Sequence, residues 1–245
     1  MTPLLETRGL SKRFGGLEAV SSVDLRLDPG EVRALIGPNG AGKTTLVGLI
    51  SGRLRPTAGE VRFGGRDITR LRPWERVALG IGYTFQVTSV YRKLSVHDNV
   101  AVAAQRGQLR TARDWIALDR EAVAADVAAT LARVGLAGRS SQRAGTLAYG
   151  HQRVLEMAMV LALGPELLIL DEPTQGLAGD EIEALCRLVR DMAGTATILL
   201  IEHNMAVVHD LASRVTVMDQ GRIIAEGTPH EIEANPEVQR VYLGR

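Results

Sequence analysis

The chain has 245 residues, of which 45% are hydrophobic and 23% charged, which is typical of a folded globular protein and excludes a disordered chain. The formal net charge is +1, so charge alone indicates neither a nucleic-acid partner nor an anionic membrane surface. The single cysteine, Cys186, excludes a disulfide within the chain, and no apolar run reaches the roughly 18 residues that predict a membrane span.

Residues 4–36 are predicted to form short strands, and two more strands follow in the first half of the chain. Short apolar or alternating stretches are separated by turn signals, such as the Asp28-Pro29-Gly30 turn. The strand pattern that begins at Val32 runs into a glycine-rich loop, and a helical pattern follows the loop. The predicted strands in this half are LLETRGLSKRF, EAVSSVDLRL, VRALIG, EVRFGG and IGYTFQ.

Residues 95–163 have a helical pattern instead. Ser95 and Asp98 form a capping-box sequence in front of VAVAAQR. Apolar residues then recur at helical spacing in REAVAADVAATLARVGL, and this helix is predicted to end at Gly135. The sequence therefore predicts a helical insert after the β-rich half.

Strands return in the last third of the chain. The stretches ELLILD at 166–171 and TATILLIEH at 195–203 are nearly continuous apolar runs, which are typical of parallel strands covered on both faces. A helical pattern at 180–192 lies between them and completes a βαβ unit, and a hairpin is predicted to turn at Asp219-Gln220-Gly221. The sequence predicts an α/β fold whose core is interrupted by the helical insert.

The segment GPNGAGKT, residues 37–44, matches the phosphate-loop pattern G-x-x-x-x-G-K-[ST] between a predicted strand and a predicted helix. Glycines suit this loop because backbone N–H groups must wrap closely around phosphate oxygens, and the helix N-terminus adds its positive dipole end. We expect Lys43 to reach the β- and γ-phosphates of a nucleoside triphosphate, and the Thr44 hydroxyl to hold Mg²⁺.

Two acidic residues end the apolar strand at 166–171, where sheets of this kind bind ligands. Asp171 is placed to hold Mg²⁺, and Glu172 is a candidate general base for the attacking water. Taken alone, such a pair is more often a solvated strand end. Together with the phosphate loop it predicts a site that hydrolyses a nucleotide.

Five stretches stand in one order along the chain: GPNGAGKT, TFQ, LAYGH, LLILDEP and IEH. Their order and spacing resemble the ATP-binding cassette (ABC) family, over essentially the whole chain. The resemblance implies a P-loop NTPase (RecA-like) core that carries an antiparallel β subdomain and an inserted α-helical subdomain. It places the core at 1–87 and 152–226, the helical (signature) subdomain at 88–151 and a C-terminal helical tail at 227–245.

The resemblance also implies roles for three isolated residues. Phe14 resembles the aromatic residue that stacks on adenine, Gln86 the Q-loop glutamine that contacts Mg²⁺ or the lytic water, and His203 the switch histidine that contacts the γ-phosphate. Outside this family register, each has a simpler interpretation as a core aromatic residue, a strand-end amide or a surface imidazole.

Three sets of site residues follow from the motifs and the resemblance. The expected catalytic residues are Lys43, Gln86, Glu172 and His203. The expected Mg²⁺ ligands are Thr44, Gln86 and Asp171. The residues expected to bind ATP within the chain are Phe14, Gly37, Pro38, Asn39, Gly40, Ala41, Gly42, Lys43, Thr44 and Thr45.

The family's signature, LSGGQ, corresponds here to LAYGH at 147–151. Ala148 replaces the serine, Tyr149 the first glycine and His151 the glutamine. In the family this segment binds the γ-phosphate of ATP held by the opposite subunit, so Ala148, Gly150 and His151 are expected to contact a partner's nucleotide. Gly150 allows close backbone approach, but the lost serine hydroxyl removes a hydrogen bond worth ~1.5–3 kcal/mol. We expect a working variant with weaker ATP-driven dimerisation.

A second departure lies in DEPTQGLAG. Ala178 stands where the family's D-loop usually ends in aspartate, and Asp180 is expected to be the N-cap of the next helix. The resemblance implies that cross-talk between the two nucleotide sites of a dimer is altered.

The variant LAYG, the stretches KRFGGLEAV and LLIEHNM and the ending EGTPHEIEANPEVQRVYLG resemble importer ATPases of the high-affinity branched-chain amino-acid type. This resemblance implies ATP and Mg²⁺ as cofactors, a second ABC ATPase subunit in a hetero- or homodimer, and transmembrane permease subunits that dock near 87–95. A substrate-binding protein acts indirectly, and no nucleic acid is expected. With no signal peptide expected, the implied location is cytoplasmic, peripheral on the inner face of the plasma membrane.

Other functions within and beyond the family stay open at this point. Similar cassettes serve urea, amide or aromatic-acid import, or export of the lipopolysaccharide type. Soluble ABC proteins of translation or DNA repair usually have two cassettes or long coiled coils, which this chain lacks. Retention of Lys43, Asp171, Glu172 and His203 argues against a degenerate cassette. A P-loop kinase would need an acceptor pocket and a lid.

Overall fold

A six-stranded sheet forms the centre of the fold in this computed structural model, which describes residues 2–84, 88–108 and 119–243. From one edge to the other, its strands are β10 (Arg222–Gly227), β9 (Arg214–Asp219), β3 (Val32–Ile36), β8 (Thr197–Ile201), β7 (Leu167–Asp171) and β6 (Ile81–Thr84). Neighbouring strands from β9 to β6 pair in parallel, and β10 is antiparallel to β9. Every residue of β3, β7 and β8 is buried, as expected for the continuous apolar runs.

A second sheet is antiparallel and packs with one face of the first. Its strand order is β2 (Leu17–Leu27), β1 (Leu5–Phe14), β4 (Ala58–Phe63) and β5 (Arg66–Asp67). Helix α1 (Lys43–Ile50) joins the two sheets, since its Leu46 belongs to one hydrophobic cluster with Leu10 of β1 and Leu199 of β8. The predicted antiparallel β subdomain is therefore confirmed.

Helices cover the opposite face of the main sheet and form the insert. The helices after α1 are α2 (Pro73–Ala78), α3 (Val96–Gln108), α4 (Arg120–Arg133), α5 (Tyr149–Leu161), α6 (Gly179–Ala193), α7 (Met205–Leu211), α8 (Pro229–Ala234) and α9 (Pro236–Leu243). Met157 of α5 and Leu185 of α6 pack with Leu200 of β8. None of the helices in the described ranges has both the length and the apolar composition that crossing a membrane requires.

Helix α5 belongs to two hydrophobic clusters at once. Leu155 packs with Val100 of α3 and Val127 of α4 in the helical insert, whereas Met157 packs on the sheet. The segment at the start of α5 is thereby tied to both parts of the molecule. The exact division into subdomains that the sequence suggests remains a prediction.

Several local predictions can be compared with the structure. The β9–β10 hairpin is confirmed, with Asp219 paired to Arg222 across the turn. The capping position predicted for Asp180 is wrong. The N-cap of α6 is Ala178. The backbone N of Ala178 donates a hydrogen bond to the carboxylate of Glu181 at 3.0 Å. The capping oxygen therefore comes from the third helical residue, and Asp180 lies inside the first turn.

Arg76 of α2 caps the C-terminal end of α1, the helix that begins at the phosphate loop. Its side chain is buried, and its guanidinium donates to the carbonyl oxygens of Leu49 at 2.7 Å and Ile50 at 2.6 Å. Burial lowers the pKa of Arg76 to about 10, which still leaves it charged at neutral pH. These bonds satisfy two of the last carbonyls of α1, which have no partner inside the helix.

Replacement of Arg76 by leucine should destabilise the fold. In Arg76→Leu the Leu49 carbonyl keeps a hydrogen bond from the backbone N of Gly52 at 3.3 Å, but the Ile50 carbonyl loses its bond from Arg76. A buried carbonyl left unsatisfied costs about 1–3 kcal/mol, so the free energy of unfolding should fall by about that amount, measured by urea denaturation. Arg187→Leu is the matched control, because Arg187 is exposed and its ion pair with Glu183 is 3.9 Å long. It should stay within about 0.5 kcal/mol of the wild type. Equal losses in both variants would contradict this role of Arg76.

Candidate active site

The loop between β3 and α1 has a backbone that side chains would disrupt. Gly37, Gly40 and Gly42 have φ angles of 150°, 82° and 98°. A Cβ on Gly37 would lie 2.1 Å from the carbonyl oxygen of Met218, and one on Gly42 would lie 2.4 Å from that of Ala19. Glycine is required at 37 and 42 by close backbone packing.

Neighbouring strands hold this loop in place. The carbonyl oxygen of Ala41 accepts a hydrogen bond from the backbone N of Gly221 at 3.0 Å, and Gly221 lies in the β9–β10 turn. Pro38 is half-buried and Ala41 is buried, whereas Asn39 and Gly40 are exposed. A Cβ on Gly40 would meet no atom within 4 Å, so the exposed tip of the loop is open to a ligand.

The first residues of α1 suit phosphate binding. Lys43 Nζ donates to the carbonyl oxygens of Gly37 at 2.6 Å and Pro38 at 3.0 Å. Thr44 is exposed and Thr45 is half-buried. No acidic residue lies in the first turn of α1, so no carboxylate there opposes an anion at the positive end of the helix.

Lys43 is also close enough to the two predicted acidic residues to be influenced by their charges. Burial lowers the pKa of Lys43, and the carboxylates of Glu172 and Asp171 act in the opposite direction. The structure therefore brings Lys43 close to the adjacent pair Asp171 and Glu172, which lies far from it in the sequence.

Asp171 is the last residue of β7, and its side chain is almost fully buried. Tyr83 Oη donates to Asp171 Oδ2 at 2.7 Å, from the neighbouring strand β6. Burial raises the pKa of Asp171, while the hydrogen bond from Tyr83 lowers it. Tyr83 was missed by the sequence analysis, because no local signal indicates which residue of β6 faces the end of β7.

Glu172 is held in a backbone conformation that is rare for a residue with a side chain. Its φ is 47°, and its backbone N donates to the carbonyl oxygen of Ile201 at 2.9 Å. Arg153 of α5 donates to the carbonyl oxygens of Asp171 at 2.8 Å and Glu172 at 3.0 Å. Such a conformation costs about 1–3 kcal/mol and persists only where its surroundings fix it.

Arg153 is another residue that the sequence analysis missed. It is 1% exposed, and besides those carbonyls it pairs with Glu156 at 2.8 Å. The available signal was an arginine on a helix whose neighbours are apolar. Its partners could not be found from the sequence, because they lie in a different loop.

The residues predicted from isolated motifs lie in different environments. His203 is exposed, two residues after the end of β8. Phe14 is 46% exposed at the end of β1, with Lys12 Nζ 5.0 Å from the centre of its ring. The β1–β2 hairpin reaches the phosphate loop through the contact of Ala19 with Gly42. Gln86 lies outside the described residues.

The variant signature forms the start of α5. The helix begins at Tyr149, and Ala148 is its N-cap without a side-chain bond. Gly150 is buried, and a Cβ there would lie 2.2 Å from Glu181 Oε1.

The side chains of the signature segment lie in different environments. The ring of Tyr149 packs on Gly176, in the loop after Glu172. Ala148 is exposed and His151 is half-buried; their contact with a partner's nucleotide remains a prediction.

The groups around the loop fit a nucleoside triphosphate with Mg²⁺. Backbone N–H groups and an ammonium group suit phosphate oxygens, and the cradle at Gly37 and Gly42 admits no Cβ. The Thr44 hydroxyl and the Asp171 carboxylate are the hard oxygen ligands that Mg²⁺ prefers. A strand, glycine loop and helix with a lysine, and an aspartate–glutamate pair two strands away, define a P-loop ATPase.

Sequence comparison then places the chain within that class. A family model described as ABC transporter matches residues 20–175, and one described as branched-chain amino acid ATP-binding cassette transporter matches residues 222–245. The chain belongs to the ABC transporter family. The fold class and the ATPase class predicted from the sequence are both confirmed.

Three known proteins illustrate the similarity. The high-affinity branched-chain amino acid transport ATP-binding protein LivG of Escherichia coli (strain K12) is 41% identical, over 99% of this chain and 98% of that protein. The corresponding protein BraF of Pseudomonas aeruginosa is 38% identical, with the same coverage. The ADP conformation of MJ1267, an ATP-binding cassette of an ABC transporter, is 28% identical and superposes with a TM-score of 0.87 over 100% of both chains.

The raised pKa of Asp171 predicts that this carboxylate destabilises the native protein at neutral pH. A carboxyl group whose pKa is higher in the folded than in the unfolded state contributes its full stability only at a pH below the unfolded pKa, which is about 4 for aspartate. This contribution is lost as the pH rises through the folded pKa. Asp171→Asn should therefore be more stable than the wild type near pH 7 in EDTA, and the difference should shrink toward pH 4. Urea denaturation at several pH values measures this.

The exposed Asp126 of α4 provides the control for this experiment. Asp126→Asn should change the free energy of unfolding little at any pH. If Asp171→Asn were less stable than the wild type near neutral pH, the interpretation of its burial would be wrong.

Proposed function

We propose that this chain is the ATP-hydrolysing subunit of an ABC importer for branched-chain or related amino acids. The observation that carries the proposal is its full-length similarity to LivG and BraF, which includes the C-terminal match at 222–245. The grouping of Lys43, Asp171 and Glu172 at one edge of the sheet supports ATP hydrolysis by the chain itself.

Each residue of the site has a role in this proposal. Lys43 and the N–H groups of 37–45 bind the phosphates, and the ring of Phe14 stacks on the adenine. Thr44 and Asp171 hold Mg²⁺ with Gln86; when bound, the ion neutralises charge on the β- and γ-phosphates. Glu172 accepts the proton of the attacking water, and His203 contacts the γ-phosphate.

A second ABC ATPase subunit completes the proposed assembly, as a homo- or heterodimer. The start of α5, with Ala148, Gly150 and His151, is proposed to face the γ-phosphate bound by the partner. In support, α5 is 13 residues long and has no acidic residue in its first turn. Its positive end is therefore suited to an anion.

A groove beside the site is the proposed contact with a membrane-embedded permease. A cavity of about 270 Å³ is lined by Tyr91 and Ala103 of the insert and by Met159 of α5, among other residues. Tyr91 is 54% exposed at this edge, within the segment predicted to dock. Tyr83 and Glu156 also line the cavity, and each bonds directly to a residue of the site, Asp171 and Arg153 respectively. A permease segment in this groove would touch the supports of the hydrolysis site, with the chain bound at the cytoplasmic face of the membrane.

The test uses Glu172→Gln as bait, because loss of the general base should allow ATP binding while stopping turnover. In detergent-solubilised membranes of the source organism with ATP, we expect this variant to retain a polytopic permease and a second cassette. Lys43→Ala, which should lose ATP binding, is the control and should retain less of the second cassette. The binding protein of the captured permease can then be screened with leucine, urea and aromatic acids.

The outcomes separate the alternatives. Recovery of ribosomal or DNA-repair proteins without a permease would overturn the transport function while leaving the ATPase. Capture of a lipopolysaccharide-type export permease would overturn import. Normal ATP turnover by purified Glu172→Gln would show that Glu172 is not the base.

Restoration of the signature serine predicts stronger dimerisation. In Ala148→Ser, the hydroxyl can cap α5, which is worth about 1 kcal/mol of stability, and can also bind the partner's γ-phosphate. In the Glu172→Gln background, we expect ATP-dependent dimer formation at lower protein concentration, measured by analytical ultracentrifugation.

Ala148→Asp distinguishes the two effects, because aspartate caps a helix as well as serine does but repels phosphate. It should stabilise the monomer and weaken the dimer. Equal dimerisation of Ala148→Ser and the parent protein would mean that the serine contact is irrelevant in this chain.

A further inference from the structure

Glu202, the first residue after β8, is a buried carboxylate to which the hydrolysis site described above gives no role. It is 1% exposed. Its Oε1 accepts hydrogen bonds from the backbone N of Thr174 at 3.2 Å and from the Thr174 hydroxyl. Its Oε2 accepts from the backbone N of His203 at 3.0 Å and of Asn204 at 3.2 Å. One side chain thus connects two loops.

These two loops carry the proposed general base and the switch histidine. Strands β7 and β8 are neighbours, with Asp171 paired to Ile201, so the loops leave the sheet at the same edge. The last backbone bond between them runs from Glu172 N to the carbonyl oxygen of Ile201. Beyond that bond, Glu202 links Thr174 to His203.

We propose that Glu202 is a positioning residue for ATP hydrolysis. It fixes the backbone of His203 relative to the turn that carries Glu172, and it acts through these residues without touching the nucleotide itself. The inference rests on the proposed ATPase function of the site and adds to it a residue to which neither the motifs nor the family resemblance gave a role.

The hydrogen-bond partners require a carboxylate at this position. Three of them are backbone N–H groups, of Thr174, His203 and Asn204, and such groups can only donate. A glutamine has one oxygen and one NH₂ group, so either orientation of its amide points an NH₂ group at a backbone N–H. Glu202→Gln should therefore free one of the two loops while changing the side-chain volume little.

The phosphate loop should be unaffected by this change. It is held by Met218, Ala19 and Gly221, none of which bonds to Glu202 in the described residues. We therefore expect Glu202→Gln to bind ATP normally and to hydrolyse it slowly. A role in overall stability alone would change binding and turnover together.

The experiment measures steady-state ATP hydrolysis by the purified full-length chain. Glu202→Gln should lower kcat about 10- to 100-fold, as expected when catalytic groups are displaced slightly, with KM for ATP within about twofold of the wild type. Thr174→Val, which removes only the hydroxyl bond, should lower kcat less, and Thr174→Ser, which retains the hydroxyl, should restore it.

Thr216→Val is the matched control. Thr216 is also a buried threonine whose hydroxyl donates to a glutamate, Glu226 Oε1, at 2.7 Å, but it lies on β9. This variant should lower the melting temperature without changing kcat. If Glu202→Gln does not fold, the comparison of valine with serine at position 174 still decides the inference.

The experiment distinguishes failure of the role of Glu202 from failure of the proposed ATPase function. A wild-type chain without ATPase activity, both alone and in its complex with the second cassette and the permease, would overturn both. If the wild type is active, a kcat for Glu202→Gln and Thr174→Val within about twofold of it would overturn only the role of Glu202. An equal loss of kcat in Thr216→Val would also overturn that role, because destabilisation would then explain the effect.

Discussion

The parallel pairing of β3, β8 and β7 is the constraint on which the rest of the structure depends. Ile198 of β8 is paired with Val32 on one side and with Leu168 on the other, and all three strands are buried at every residue. A one-residue register slip would exchange the side chains on the two faces, such as Leu199, which packs with α1, and Leu200, which packs with α5 and α6. The strands are therefore fixed relative to each other. Their carboxyl ends therefore meet at one edge, where the phosphate loop, the Asp171–Glu172 pair and His203 all emerge.

Buried charged groups fix the backbone of the loops at this edge of the sheet and of the end of α1. Arg153 and Glu202 bond mainly to backbone groups of the loops at that edge, and Arg76 does the same for the carbonyls at the end of α1. Burying a charge is costly unless hydrogen bonds compensate it. Here those bonds specify loop shape, including the positive φ of Glu172. The raised pKa of Asp171 likewise indicates that the arrangement of the site costs the fold some stability.

Helix α5 gives the variant signature a direct structural connection to this edge. The helix starts at Tyr149, whose ring lies on Gly176, and Arg153 further along it holds the carbonyls of Asp171 and Glu172. Its apolar residues pack on both the insert and the sheet. A displacement of the insert would therefore reach the hydrolysis loops through one rigid element. The replacements in LAYGH leave this connection intact, and the activity of the variant signature stays a prediction.

The sequence by itself determined the fold class, the phosphate loop and the acidic pair, because each depends on residues adjacent in the chain and on local apolar patterns. The family register added the roles of residues such as Phe14 and His203, which remain predictions. The helix start at Tyr149, the capping of α6 by Glu181 and the bonds of Tyr83, Arg153 and Glu202 were decided only by the tertiary structure. Tyr83 and Asp171, for example, are 88 positions apart in sequence. Such contacts depend on which strands become neighbours and which side chains reach the shared edge, and no local pattern encodes this.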